Sequence, residues 1–513
     1  MSLRYTMKID SLRTCGLCLA AIIFPATSYA EVTLPNIFGN HMVLQQQQEN
    51  KIWGKADAGE EISISIDNKT VSAVADDSGN WSAMLPAMEV GEPRQLVVKG
   101  TNEIKLEDVL IGEVWICSGQ SNMEWRVHSG RSKVNDWDLE EATANFPRIR
   151  MINYPNTGSQ EPIWTHPNAQ WMVCSPETVG EFSGVGYFFG RRLLDRLDVP
   201  IGLINNAWGG SAADAWIDRD TLNNTEAYQA TLKKWSERES QIAALEAKEE
   251  ASDQEKKTLA GLKRQMGGNQ RPANIYNGVL SSHLGYGIKG AIWYQGESNA
   301  SRGYQYRYLF PLMIQTWRND WGQGDFPFYW VQLADFQGEV DEPGESTWAE
   351  LREAQTMTMN ELPNTGEAVI IDAGEGKDIH PRNKQIVGSR LARWALAKQY
   401  GVDLAYHSPI YQSMEKSGDK IVLSFEHING GWRPFDVNTP IGFAIAGKDK
   451  KFVWADAKIV GQKIEVWSKE VADPVAVRYA WAQNPVCNMF DDVGLPLTPF
   501  RTDDWPGVTI NNN

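Results

Sequence analysis

Residues 113–125 read EVWICSGQSNMEW. Val114–Cys117 is an unbroken apolar run of strand length that stops abruptly at Ser118-Gly119-Gln120-Ser121. A strand apolar on consecutive residues is buried on both faces, as in the interior of a parallel sheet. Similar runs recur in IGLINNAW (201–208), IKGAIWYQG (288–296), PFYWVQLAD (327–335) and GEAVIIDAG (366–374). Between them GVGYFFGRRLLDRL (184–197), YRYLFPLMIQTWRNDW (306–321) and LREAQTMTMNEL (351–362) place apolar residues at helical spacing. This alternation predicts an α/β fold with a parallel sheet covered by helices on both faces. Ligands of such sheets bind at the carboxyl ends of the strands, which is where the small polar motifs of this chain fall.

Outside that region the pattern is β. Residues 31–108 hold EISISI (61–66), which alternates strictly, and RQLVVKG (94–100), with the turn chemistry of DDSGNW (76–81) between strands; they predict a small β domain. From about 405 to 513, DKIVLSFE, PIGFAIAG, QKIEVWS and AVRYAW predict a second one. The α/β region therefore spans 109–404, interrupted at about 226–266 by a charge-rich stretch with Leu232, Trp235, Ile242 and Leu245 at helical spacing. That stretch reads as an inserted helical hairpin, either a solvated excursion or a lid or contact in a homo-oligomer. Residues 1–30 carry Arg4, Lys8 and Arg13, then the apolar CGLCLAAIIF and the small-x-small SYA. This is a signal peptide of bacterial type, and it predicts a secreted or periplasmic product. No later run is apolar enough for a transmembrane segment.

The formal charge of −16 argues against nucleic acid or an anionic membrane as partner. Trp numbers 21, and indole faces suit both cores and the C–H faces of sugar rings. Beyond the leader, Cys117, Cys174 and Cys487 allow at most one disulfide and no thiolate zinc site, and the histidines form no HExxH or HxH pattern. No metal and no other cofactor is expected.

Ser121, at a strand end, has the position of a nucleophile. It then needs a base, an orienter and oxyanion donors. GEGKDIHPRNK (374–384) supplies His380 with Asp378 two residues before it on a loop stiffened by Pro381. NAWGGSAADAW (206–216) exposes glycine N–H groups, and WYQGESNA (293–300) offers side-chain amides. GVGYFFG (184–190) has two glycines of a dinucleotide fingerprint but not the third, and reads as a packed helix start.

GEVWICSGQSNMEW, NNAWGGSAADAWI, WYQGESNA and DIHPRNK, in that order, resemble the sialate O-acetylesterase family, a branch of the SGNH (GDSL-like) hydrolases. FGNHMVLQQ (38–46) and CSPETVGEFSGVGYFFG (174–190) are similar to it as well. The resemblance implies a three-layer α/β/α domain and metal-free removal of acetyl groups from O-acetylated carbohydrate. It implies Ser121 as nucleophile and first oxyanion donor, Gly210 as second donor, Gln295 or else Asn299 as amide donor, and His380 as base. The superfamily's acid stands three residues before its histidine; here that position is Lys377, so the orienting acid is Asp378, with Asp372, Glu375, Glu297 or a bare dyad as alternatives. Acetylated sialic acid, acetylated xylan or xyloglucan, and a non-catalytic carbohydrate-binding role are the readings left open. An arginine in the pocket would favour sialate, and Arg126, Arg302, Arg352 and Arg382 lie near motifs.

Overall fold

The computed structural model describes Met1 and residues 31–512, so the expected signal peptide lies, but for Met1, outside the described residues. Among the described residues no helix is long and apolar enough to cross a membrane. At the centre is a twisted sheet whose strands run Trp171–Cys174, Phe146–Asn153, Ile201–Asn205, Glu103–Gly119, Gly290–Tyr294, Phe328–Val331 and Thr365–Ala368 in spatial order. All neighbours are parallel except the edge pair Phe146–Asn153 and Trp171–Cys174.

The strand of the opening motif lies at the centre of this order and is buried on both faces. Trp115 and Cys117 point into one core with Phe189, Val387 and Leu391, beneath the helices Gly184–Leu197 and Lys384–Tyr400. Val114 and Ile116 point into the other with Phe310, Trp317 and Leu351, beneath Gly303–Trp321 and Thr347–Glu361. The two-residue period of a strand thus divides one apolar run between two cores. This is the expected α/β/α sandwich.

Gly119 ends the strand for a steric reason. Its φ is +128°, and a Cβ there would stand 2.2 Å from the Tyr294 carbonyl oxygen. Only glycine permits the turn and the close approach together. Gln120 N–H then donates to that carbonyl, and a one-turn helix, Ser121–Glu124, begins at the sheet's carboxyl edge.

The flanking β regions join this domain closely. Glu103–Gly119 is a single 17-residue strand that crosses position 108/109 without a break. Its first half pairs antiparallel with Arg94–Lys99, and Val43–Gln45 pairs parallel with Leu110–Gly112. The pair Asn50–Lys55 and Asn80–Leu85 forms a second N-terminal sheet. The C-terminal region forms two four-stranded sheets, whose core includes Val369 and Ile371 of the hydrolase region. The insertion is a helical hairpin, Gln229–Glu246 and Asp253–Met266, the second helix opened by a Ser252/Glu255 capping box. Cys117, Cys174 and Cys487 are free thiols.

Candidate active site

Two strand ends bring the chemistry together. Ser121 opens its short helix beyond Gly119, and His380 stands on the loop that leads into Lys384–Tyr400. Ser121 Oγ and His380 Nε2 are 2.8 Å apart, although 259 residues separate them in sequence. The Trp125 ring stacks on the imidazole at 4.9 Å and 16°, which fixes the ring plane. The pair opens into a cleft of about 360 Å³ lined also by Arg126, Arg131 and Gly209. Burial, aided by the charge of nearby Lys384, holds His380 below the usual imidazole pKa, and Asp378 opposes this without reversing it. The ring is therefore neutral at neutral pH and free to accept a proton from the serine hydroxyl.

Asp378 lies where the loop argument put it, but its main hydrogen bond is to the backbone. Its Oδ1 accepts the His380 N–H at 2.9 Å and stands 3.6 Å from Nδ1, an electrostatic contact too long for a hydrogen bond. The alternative acids are occupied elsewhere. Asp372 forms a two-pronged ion pair with Arg390, Glu375 accepts the Arg382 N–H, and Glu297 accepts from Asn122.

Gln295 and Asn299, expected as amide donors, are engaged with other partners. Gln295 spends its N–H groups on the Ser211 carbonyl and Asn299 Oδ1, and its oxygen accepts from Tyr306. Asn299 faces Asp214 and the Ala213 N–H. Both amides are buried beneath the cleft, holding the strand-end loops to one another, because full hydrogen bonding is what a buried amide requires. Gly209 lines the cleft, with Gly210 next to it in the chain. A Cβ on Gly209 would lie 3.2 Å from that of Ser121, whereas one on Gly210 would meet only Asn269. The Gly209 N–H donates to the Glu124 carboxylate, which also accepts from Asn156.

The arginines separate in the same way. Arg302 is paired to Asp214 through both terminal nitrogens, and Arg352 is fully buried on four backbone carbonyls. Arg382 is exposed. Arg126 lines the cleft paired to Glu181, and Arg131 lines it exposed at the turn of the small hairpin His128–Ser129/Ser132–Lys133. Arg131 was invisible to motif reading because it stands in no motif. A carboxylate partner is not by itself a mark of this site: His41 pairs with Asp108 and His128 with Glu141, both more closely than His380 with Asp378. Among the described residues no group of three or more His, Cys, Asp or Glu is placed to hold a metal ion.

Comparison with known proteins bears on the fold and the class of activity. The sequence matches the family described as carbohydrate esterase, sialic acid-specific acetylesterase, over residues 111–260 and 270–396. A carbohydrate acetylesterase from Xanthomonas citri has a solved structure that superposes with a TM-score of 0.79 at 36% identity, covering 93% of this chain and 100% of that one. The sialate O-acetylesterases of Mus musculus and Homo sapiens are each 27% identical, over 90% and 92% of this chain and 92% and 93% of their own lengths. Fold, site and relatives define a carboxylic ester hydrolase of the carbohydrate esterase class. Within that class, the chain belongs to the sialic acid-specific acetylesterase family.

Proposed function

We propose that this enzyme removes acetyl groups from O-acetylated sialic acid, with Ser121 as nucleophile and His380 as base. The observation that carries the chemistry is the 2.8 Å contact of Ser121 Oγ with His380 Nε2 at an open cleft. The Ser121 hydroxyl proton passes to Nε2 as Oγ bonds to the acetyl carbonyl carbon. The imidazolium returns that proton to the sugar oxygen as the ester bond breaks, leaving an acetyl-serine. Water then repeats the two steps, with its proton taken by His380, and acetate leaves. The N–H groups of Ser121 and Gly210 are the backbone donors assigned to the developing oxyanion, the Gly209 N–H being held by Glu124, and Asp378 biases the imidazole electrostatically. Ser121→Ala is expected to lose nearly all kcat with unchanged circular dichroism; an active, folded variant would refute the assignment. Since serine and histidine supply both nucleophile and base, activity is expected to survive EDTA and dialysis.

Sialate is favoured over a neutral polysaccharide by Arg131, a guanidinium exposed at the cleft for a sugar carboxylate to pair with. Arg131→Met should lower kcat/KM for acetylated sialic acid about tenfold to a hundredfold, the worth of a charged hydrogen bond, and spare acetylated xylan. Equal losses on the two substrates would return the choice to xylan or xyloglucan. We also infer export from the leader in residues 1–30; a mature chain that keeps Met1 by mass spectrometry would contradict it.

A further inference from the structure

Lys384 is the last residue of the DIHPRNK motif and the first of its helix, and it is completely buried. A cation there is opposed twice, by desolvation and by the positive end of the helix dipole. Its Nζ donates to Asn122 Oδ1 at 2.6 Å. The Asn122 amide nitrogen in turn donates to Glu297 Oε1 at 2.7 Å and to the Ile379 carbonyl at 2.9 Å. Glu297 Oε2 is buried with no hydrogen-bond partner. One amide thus has a cation on its oxygen and a carboxylate on its nitrogen, which permits a single orientation. Asn122 adjoins Ser121, and Ile379 adjoins His380.

We propose that Lys384, Asn122 and Glu297 form a positioning device that holds the Ser121 and His380 loops in reactive register from beneath. The inference rests on the reading of Ser121 and His380 as the reacting pair. It explains why three strand-end motifs each contribute one polar residue to a single cluster, at a cost in stability that apolar residues would avoid. The charged groups around Lys384 are Glu297, Glu375 and Asp378, with the rings of Trp125 and Tyr294 packed on it; those around His380 are Asp378, Lys384 and Arg131.

The test is steady-state hydrolysis of 4-nitrophenyl acetate by the full chain, across pH, in Lys384→Met, Lys384→Gln and Lys384→Met/Glu297→Gln. Loss of register by a fraction of an ångström to 1 Å predicts a fall of about 10² in kcat for Lys384→Met, with KM nearly unchanged. Lys384→Gln restores a donor to Asn122 and should recover most of that loss. In both single variants the acid limb of kcat/KM should move to higher pH, because the cation disfavouring the His380 imidazolium is gone. The double variant leaves no unpaired buried charge, so it decides the matter if Lys384→Met does not fold; it should be as slow as Lys384→Met. A folded double variant within about threefold of wild type overturns the proposal, as does a Gln variant no faster than Met or an acid limb that stays in place. Ser121→Ala, run beside them, separates the failures: if it is active, what fails is the assignment of the reacting pair.

Discussion

His380 is held by three contacts of different kinds: a hydrogen bond between its ring and Ser121, a stacked Trp125, and a backbone bond to Asp378. The carboxylate is about half exposed and 3.6 Å from Nδ1, so water screens much of its pull. Asp378→Asn should therefore lower kcat/KM by about tenfold to a hundredfold, well short of the ~10⁴ seen where such an acid is buried and bonded to the ring. The sign of the pH effect follows from the same contact. His380 already sits below the usual imidazole value, so the acid limb of wild type is expected below that of a free imidazole. Removing an anion that favours imidazolium moves that limb lower still. A limb that rises in Asp378→Asn, or a loss near 10⁴, would contradict this account. Ser121 and His380 were legible in sequence because strand ends and a Pro-stiffened loop are local features. The roles of Gln295 and Asn299 were not, because a local pattern places an amide near a strand end without showing which way it donates.

At the scale of elements, helix Thr347–Glu361 does more than cover the sheet. From it, Arg352 reaches the Leu333 and Ala334 carbonyls beyond a central strand and the Ala482 and Gln483 carbonyls of the C-terminal region. Burial pushes this guanidinium down to about 10, still cationic at neutral pH. Arg352→Met would leave buried carbonyls without donors and should cost about 3 kcal/mol, read as earlier onset of thermal unfolding with an unchanged pH profile of the residual activity. Unaltered unfolding would show that water or neighbouring donors replace the guanidinium. The covering helices Gly184–Leu197, Gly303–Trp321 and Thr347–Glu361 were readable because their apolar spacing runs for three or more turns, whereas Lys384–Tyr400 was not read. The edge strands Phe146–Asn153 and Trp171–Cys174 were missed: Arg148 and Arg150 interrupt the apolar pattern of the first, and the second is only four residues long.

At the scale of the molecule, the three predicted regions are coupled through shared structure. A 17-residue strand passes from the N-terminal sheet into the parallel sheet, and Val369 and Ile371 lie in the C-terminal core. A fragment of residues 109–404 would lose the strand's antiparallel partner and expose that core, so it should express without a cooperative unfolding transition. A soluble 109–404 fragment with cooperative unfolding and esterase activity would refute the coupling. The alternation of the central strands with helices, the strand end that carries Ser121 and the loop that carries His380 were determined by the sequence alone, since each depends on periodicity and turn chemistry within about a dozen residues. The burial of Gln295 and Asn299, the exposure of Arg131 and the Lys384–Asn122–Glu297 cluster were decided only by tertiary structure. Each depends on which loops meet at the carboxyl edge of the sheet, and residues up to 262 apart in the chain meet there through strand order, which no local pattern encodes.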